Sequence, residues 1–146
     1  MGKIYITKLF SFEMAHALEG YDGLCKNIHG HSYKLRVTVF GIPLDNSQSP
    51  KNGMLIDFSD LKQIVEKYII SKYDHSLVLN SKTDALTINV LQSHYDKIVT
   101  VNYQPTCEQM LIDFADILQK VLPSNISLHS LRLSETDTSY AEWVNS

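Results

Sequence analysis

The chain has 146 residues, of which 44% are hydrophobic and 20% charged, a balance that excludes a disordered chain and argues against a fibrous one. Its formal net charge of −3 gives no general attraction to nucleic acid or anionic membranes, so an anionic small substrate needs a local basic pocket. No apolar run approaches the roughly 20 residues that span a bilayer, and the first six residues alternate like a strand rather than forming a signal core; with two cysteines only, a single reduced, cytoplasmic domain over residues 1–146 is expected.

Residues 3–14 read as a first strand, with Ile4, Ile6 and Leu9 among polar and aromatic neighbours, and the stretch 10–16 carries the chain on to His16. A loop with Gly20 and an Asp22-Gly23 turn pair leads to Cys25, His29 and His31. Residues 32–41 form the clearest strand: Leu35, Val37 and Val39 face one way, Lys34, Arg36 and Thr38 the other. The two strands are expected to pair antiparallel, with His16 and the other two histidines at one end. A polar connection over 42–53 gives way to the apolar run 54–58. A helix follows, with Leu61, Ile64, Val65, Tyr68 and Ile69 at helical spacing and Asp57 or Ser59 as N-cap. It is expected to end near Lys72, in the run Tyr73-Asp74-His75-Ser76-Leu77.

Residues 80–97 read as a helical fragment or loop, and 98–103 alternate as a short strand. A second helix begins at Thr106, with Gln109 as its capping-box partner and Met110, Leu111, Phe114, Ala115, Leu118 and Val121 as its buried stripe, until Pro123 stops it. Strands over 127–135 and 139–144 close the chain. Two strands, two helices and two strands predict an α+β fold: an antiparallel ββααββ sheet with both helices on one face. Its open edges predict a homo-oligomer.

In an extended strand His29 and His31 point the same way, Gly30 adding no side chain between them, and His16 brings a third imidazole to the same end. Three neutral imidazoles with an open fourth position are the ligand set of a catalytic Zn²⁺. Histidines that merely cap strands are the alternative. Cys25, four residues before His29, is a proton-transfer thiol or nucleophile activated by a nearby cation, a fourth ligand closing a structural site, or an inert thiol; spacing leaves the choice open. Asp74 beside His75 suits a proton relay, although adjacent strand residues would point apart. Glu135 shares a face with Leu131 and Leu133, so its carboxylate needs a partner: the paired N–H edge of a planar ligand, or an internal Arg or Lys. Thr106 and Glu108 are an N-cap and a first-turn acid in their own right.

Taken together, the stretches 12–16, 25–33, 53–62, 74–80 and 105–108 and the pair Glu135-Thr136 resemble the 6-pyruvoyl-tetrahydropterin synthase family, including the bacterial 6-carboxy-tetrahydropterin synthases of queuosine biosynthesis. The resemblance implies the tunnelling (T-) fold, whose subunits assemble into barrels, commonly hexamers, with active sites between subunits. It implies Zn²⁺ on His16, His29 and His31, binding the side-chain oxygens of 7,8-dihydroneopterin triphosphate. It further implies Cys25 as the proton-transfer thiol, Asp74 and His75 as a relay from a neighbouring subunit, and Glu135, with Thr106 and Glu108 nearby, holding the pterin edge. Only three residues separate Cys25 from His29, as in the queuosine-pathway branch, where the reaction loses triphosphate and acetaldehyde to leave 6-carboxy-5,6,7,8-tetrahydropterin. A folate-linked branch tends to have Glu where Cys25 stands. The pyruvoyl synthase reaction and a non-catalytic zinc or pterin-binding module remain the alternatives; a zinc hydrolase is disfavoured because no general-base Glu accompanies the histidines. The segment 80–104 is longer than the bacterial pattern, and Lys26, Lys34 and Arg36 are the cations available for the triphosphate.

Overall fold

The computed structural model describes residues 2–146; Met1, the first residue of the expected 1–146 domain, lies outside them. Strand β1 (Ile4–Ala17) pairs antiparallel with β2 (His29–Gly41) from Ile4↔Gly41 to His16↔His29. Antiparallel β5 (Ile126–Thr136) and β6 (Ser139–Val144) extend that side of the sheet.

On the other side of β1 the fold departs from the purely antiparallel expectation. The strand β3 (Ser76–Asn80) runs parallel to β1 at Met14–Ala17, and β4 (Ile98–Val101) runs parallel to β3, giving a mixed sheet of order β4-β3-β1-β2-β5-β6. Parallel neighbours need a crossover, and the long segment after residue 80 supplies one. Its helix α3 (Ala85–His94; α1 and α2 precede it) is capped by Asp84, whose carboxylate accepts from the Thr87 amide at 3.0 Å. None of its residues is buried, which is why no apolar stripe betrays it.

The first predicted helix is a rod of three segments: α1 (Phe58–Val65), a π-helical turn (Glu66–Ile70) and α2 (Ser71–Tyr73). Asp57 is its N-cap, accepting from the Ser59 amide at 2.8 Å. Helix α4 (Cys107–Val121) begins at the Thr106 cap, which accepts from the Gln109 amide. Both helices lie on one face of the sheet, as expected. Leu61, Val65, Ile69 and Tyr73 of the rod and Met110, Phe114 and Leu118 of α4 share one core with Phe10, Phe12, Tyr33, Leu35, Val37, Leu131 and Leu133 of the strands. Each of these large side chains, fully withdrawn from water, contributes about 1.5–3 kcal/mol. The opposite face carries the out-of-phase residues, among them Leu9, Ser11, Lys34 and Arg36, all exposed.

Candidate metal and proton-transfer site

Alternation along β1 and β2 places His16, His29 and His31 in phase with Phe12, Tyr33 and Leu35, at the end of the helix-covered face. The register sets His16 opposite His29, and one donor nitrogen of each of the three rings lies within 4.8 Å of the others. His16 Nδ1 lies 2.7 Å from the Pro105 carbonyl and His29 Nδ1 lies 2.8 Å from the Asn27 carbonyl. A carbonyl only accepts, so each Nδ1 carries its proton and each Nε2 keeps a free lone pair. These two Nε2 atoms stand 3.1 Å apart. Nitrogens bound to one tetrahedral Zn²⁺ at ~2.0–2.1 Å lie about 3.3 Å from each other. The His31 Nε2 is buried without a hydrogen-bond partner. Burial, only partly opposed by the Pro105 carbonyl, holds His16 below the ordinary imidazole range and so in its neutral, ligating form. Three convergent imidazoles, two with tautomers fixed by backbone carbonyls and the third with an orphaned nitrogen, fit a metal ion such as Zn²⁺.

Glu135 is the extra residue of a bulge: Ser134 pairs with Tyr140 and Thr136 with Ser139, leaving Glu135 unmatched on β6. Its Oε1 lies 3.5 Å from both His16 Nε2 and His31 Nε2 and accepts from the Tyr33 hydroxyl at 3.4 Å. Among the described residues, no Arg or Lys forms the internal ion pair weighed for this carboxylate. Sequence reasoning missed Tyr33, although its phase with His29 and His31 was available to find it. Burial, reinforced by the Glu135 charge, pushes the Tyr33 phenol up, so it stays a donor.

Cys25 lies exposed on a short 3-10 turn (Leu24–Lys26), its carbonyl accepting from the Leu18 amide at 3.0 Å, which folds the loop back toward the end of β1. It does not belong to the three-histidine cluster. The Pro105–Glu108 stretch divides its labour: the Pro105 carbonyl orients His16, Thr106 caps α4, Cys107 is buried, and Glu108 is the exposed first-turn acid. Burial pushes the Cys107 thiol up to about 11, and its Sγ lies 3.1 Å from the Leu133 carbonyl.

Asp74 and His75 do not point apart as strand neighbours would. His75 adopts a left-handed backbone (φ 62°), and its Nδ1 lies 3.0 Å from Asp74 Oδ1. Such a conformation in a non-glycine residue costs about 1–3 kcal/mol and is held by its surroundings. Here the His75 amide donates to the Glu13 carbonyl, the Glu13 amide donates to Asp74 Oδ1, and Lys97 Nζ donates to the carbonyls of Asp74 and Ser71. The Glu13 amide first, then His75, holds the Asp74 carboxyl below its usual range. Lys97 belongs to the segment least legible in the sequence, and no local pattern marks it.

His75 opens onto a groove of about 410 Å³ formed with Glu13, Met14, Ala15, Gly30, His31, Ser32 and Ser76. Glu13, Ala15, Gly30 and Ser32 alternate with the imidazole-bearing positions along their strands, and His31 is the member of the triad that borders the groove.

Residues 5–145 match the family described as 6-pyruvoyl tetrahydropterin synthase. A Haemophilus influenzae protein named 6-carboxy-5,6,7,8-tetrahydropterin synthase is 39% identical over 140 residues, spanning 94% of this chain and 96% of its own. A solved structure of an uncharacterized Wolinella succinogenes protein matches with a TM-score of 0.79 at 19% identity, covering 100% of both chains. That of Caenorhabditis elegans 6-pyruvoyl tetrahydropterin synthase gives 0.69 at 22% identity, covering 100% of this chain and 98% of the other. At these identities the two structures speak for the fold.

Proposed function

The chain belongs to the 6-pyruvoyl tetrahydropterin synthase family, and on that premise we propose that it is a Zn²⁺-dependent lyase converting 7,8-dihydroneopterin triphosphate to 6-carboxy-5,6,7,8-tetrahydropterin, with release of acetaldehyde and triphosphate. That it is a lyase of the pterin-synthase type follows from the family and the named relatives. The observation that carries the zinc reading is the convergence of His16, His29 and His31, with two tautomers fixed by backbone carbonyls. The carboxy product is supported by the name of the 39% identical relative and by the three-residue interval between Cys25 and His29.

In this reading His16, His29 and His31 hold the ion. When bound, it polarises the side-chain oxygens of the substrate and acidifies the adjoining C–H bonds. The exposed Cys25 thiol takes up and returns protons there. Asp74 holds the Nδ1 proton of His75, which leaves His75 Nε2 as the atom that exchanges protons. Glu135, anchored by Tyr33, accepts the paired N–H edge of the pterin, with Thr106 and Glu108 nearby. In line with the family, we read the complete site as combining the triad of one chain with Asp74 and His75 of a neighbour in a homo-oligomer, a hexamer, serving queuosine biosynthesis in the cytoplasm.

Mass spectrometry of the products from Zn²⁺-loaded protein and 7,8-dihydroneopterin triphosphate tests the proposal. Acetaldehyde and the 6-carboxy product are expected. A 6-pyruvoyl product would reassign the chain to the sister reaction, and no triphosphate release would refute lyase action on this substrate. Cys25→Ala is expected to keep zinc and lose turnover; loss of zinc would make Cys25 a ligand.

A further inference from the structure

The helix-free face of the sheet holds an arrangement that strand pairing alone disfavours. Arg36 of β2 stands directly opposite Arg132 of β5, and Lys34 lies two residues from Arg36 on the same face. Like charges directly opposite on one face destabilise a sheet. Composition does not force them together, because the chain carries a net charge of −3.

Nor do the neighbouring carboxylates neutralise the group. Glu142 meets one nitrogen of Arg132 at 3.5 Å, while Lys34 and Arg36 form no ion pair among the described residues. Lys34 Nζ donates to the Ser11 hydroxyl at 3.3 Å. The Arg132 guanidinium is clamped over the Tyr140 ring at 4.1 Å, and its Nε is buried without an acceptor. An orphaned, immobilised arginine donor beside two free cations calls for an anion. These three cations, with Ser11, Ser134 and Tyr140, line a cavity of about 500 Å³, which Asp137 also borders.

We propose that this cavity is a binding site for a phosphate chain, held by Arg36, Arg132 and Lys34 with the hydroxyls of Ser11 and Ser134. Strand geometry puts Lys34 and Arg36 about 7 Å apart along β2 and Arg36 and Arg132 about 5 Å apart across the ladder. That footprint suits two or three linked phosphates better than one. The choice of phosphate rests on the proposed triphosphate substrate; the site itself rests on the cations and their orphaned donor. Of the three cations the sequence offered for the triphosphate, Lys34 and Arg36 line this cavity and Lys26 does not.

Titration calorimetry of the full chain with inorganic triphosphate at low salt tests the site. Wild type is expected to bind it at least tenfold more tightly than orthophosphate, and Arg36→Gln to weaken triphosphate binding about tenfold or more. Arg36→Gln relieves the like-charge pair, so without the anion its melting temperature is expected to equal or exceed that of wild type. Added triphosphate should raise the melting point of wild type alone. Equal affinities in wild type and Arg36→Gln, or no preference over orthophosphate, would overturn the proposal. A melting point lowered by Arg36→Gln without any change in binding would identify a structural residue and overturn it too. Two supporting outcomes identify the source of the chain. Competitive inhibition by inorganic triphosphate, with a matching rise in KM for Arg36→Gln, marks the substrate's own tail, whereas an unchanged KM marks a free polyphosphate. Triphosphate binding by zinc-loaded protein that shows no turnover would refute the lyase reading while leaving this site standing.

Discussion

Replacing Asp113 with alanine removes the acceptor shared by two phenols: the Tyr103 hydroxyl donates to its Oδ2 at 2.8 Å and the Tyr73 hydroxyl at 3.3 Å. Tyr73 is fully buried at the end of the rod, immediately before Asp74, and Asp113 lies on α4, so this carboxylate pins the segment that carries the dyad to the second helix. A buried hydroxyl stranded without a partner costs about 1–3 kcal/mol. The short Tyr103 bond belongs at the upper end of that range. The longer Tyr73 bond belongs at the lower end, so Asp113→Ala is expected to cost about 2–4 kcal/mol. At about 2–4 °C per kcal/mol for a chain of this size, the melting temperature should fall by roughly 5–15 °C. Urea unfolding measures the cost, and a double-mutant cycle with Tyr103→Phe isolates the stronger bond, with an expected coupling of about 1–2 kcal/mol. Turnover should fall as well, since the chain leading into Asp74 loosens. A change within about 0.5 kcal/mol of wild type, the range of an ordinary surface substitution, together with zero coupling, would refute the reasoning.

Alkaline titration gives a related expectation. Burial raises the Tyr73 phenol from 10.0 to about 12, so the folded state favours its protonated form. This contribution is fully present below pH 10 and is lost as pH climbs from 10 to 12, and Tyr73→Phe should flatten the corresponding fall in the urea midpoint. Lys97→Met removes the donor to the Ser71 and Asp74 carbonyls at an exposed position, so it should cost under about 1 kcal/mol while lowering turnover well beyond that, and Lys97→Arg should restore part of the loss. A large drop in stability with unchanged turnover would contradict this. His29→Ala should weaken Zn²⁺ retention by at least about 100-fold in equilibrium dialysis, since loss of mere supporting contacts already costs 10–100-fold. Retained zinc would show that the ion is held elsewhere.

Period-two alternation in β1, β2, β5 and β6 and the apolar stripes of α1 and α4 were legible because each element buries one face of the same core. The three histidines were legible for a related reason: residues two apart on a strand share a face, and pairing with β1 brings His16 to the same end. Ser76–Asn80 escaped because parallel pairing against Met14–Ala17 is a long-range event that no local pattern announces, and α3 was legible only as a helical fragment or loop because it buries nothing. The contact between Asp74 and His75 escaped for a sharper reason. It depends on a left-handed backbone at histidine, a conformation that only the surrounding hydrogen bonds of Glu13 and Lys97 make tenable. Bulging at Glu135 likewise arises from how β5 and β6 meet around the tight connection between them.

The proposed division of the site between the imidazole triad of one chain and the Asp74–His75 dyad of a neighbour has a genetic consequence. Where triad and dyad come from different chains, a chain lacking His16 still offers a working Asp74 and His75, and a chain lacking His75 still offers a working triad. Two such variants, each inactive alone, would complement when assembled together, with about a quarter of the sites in an evenly mixed population receiving both intact halves. A defect in one allele would then be masked by a different defect in the other.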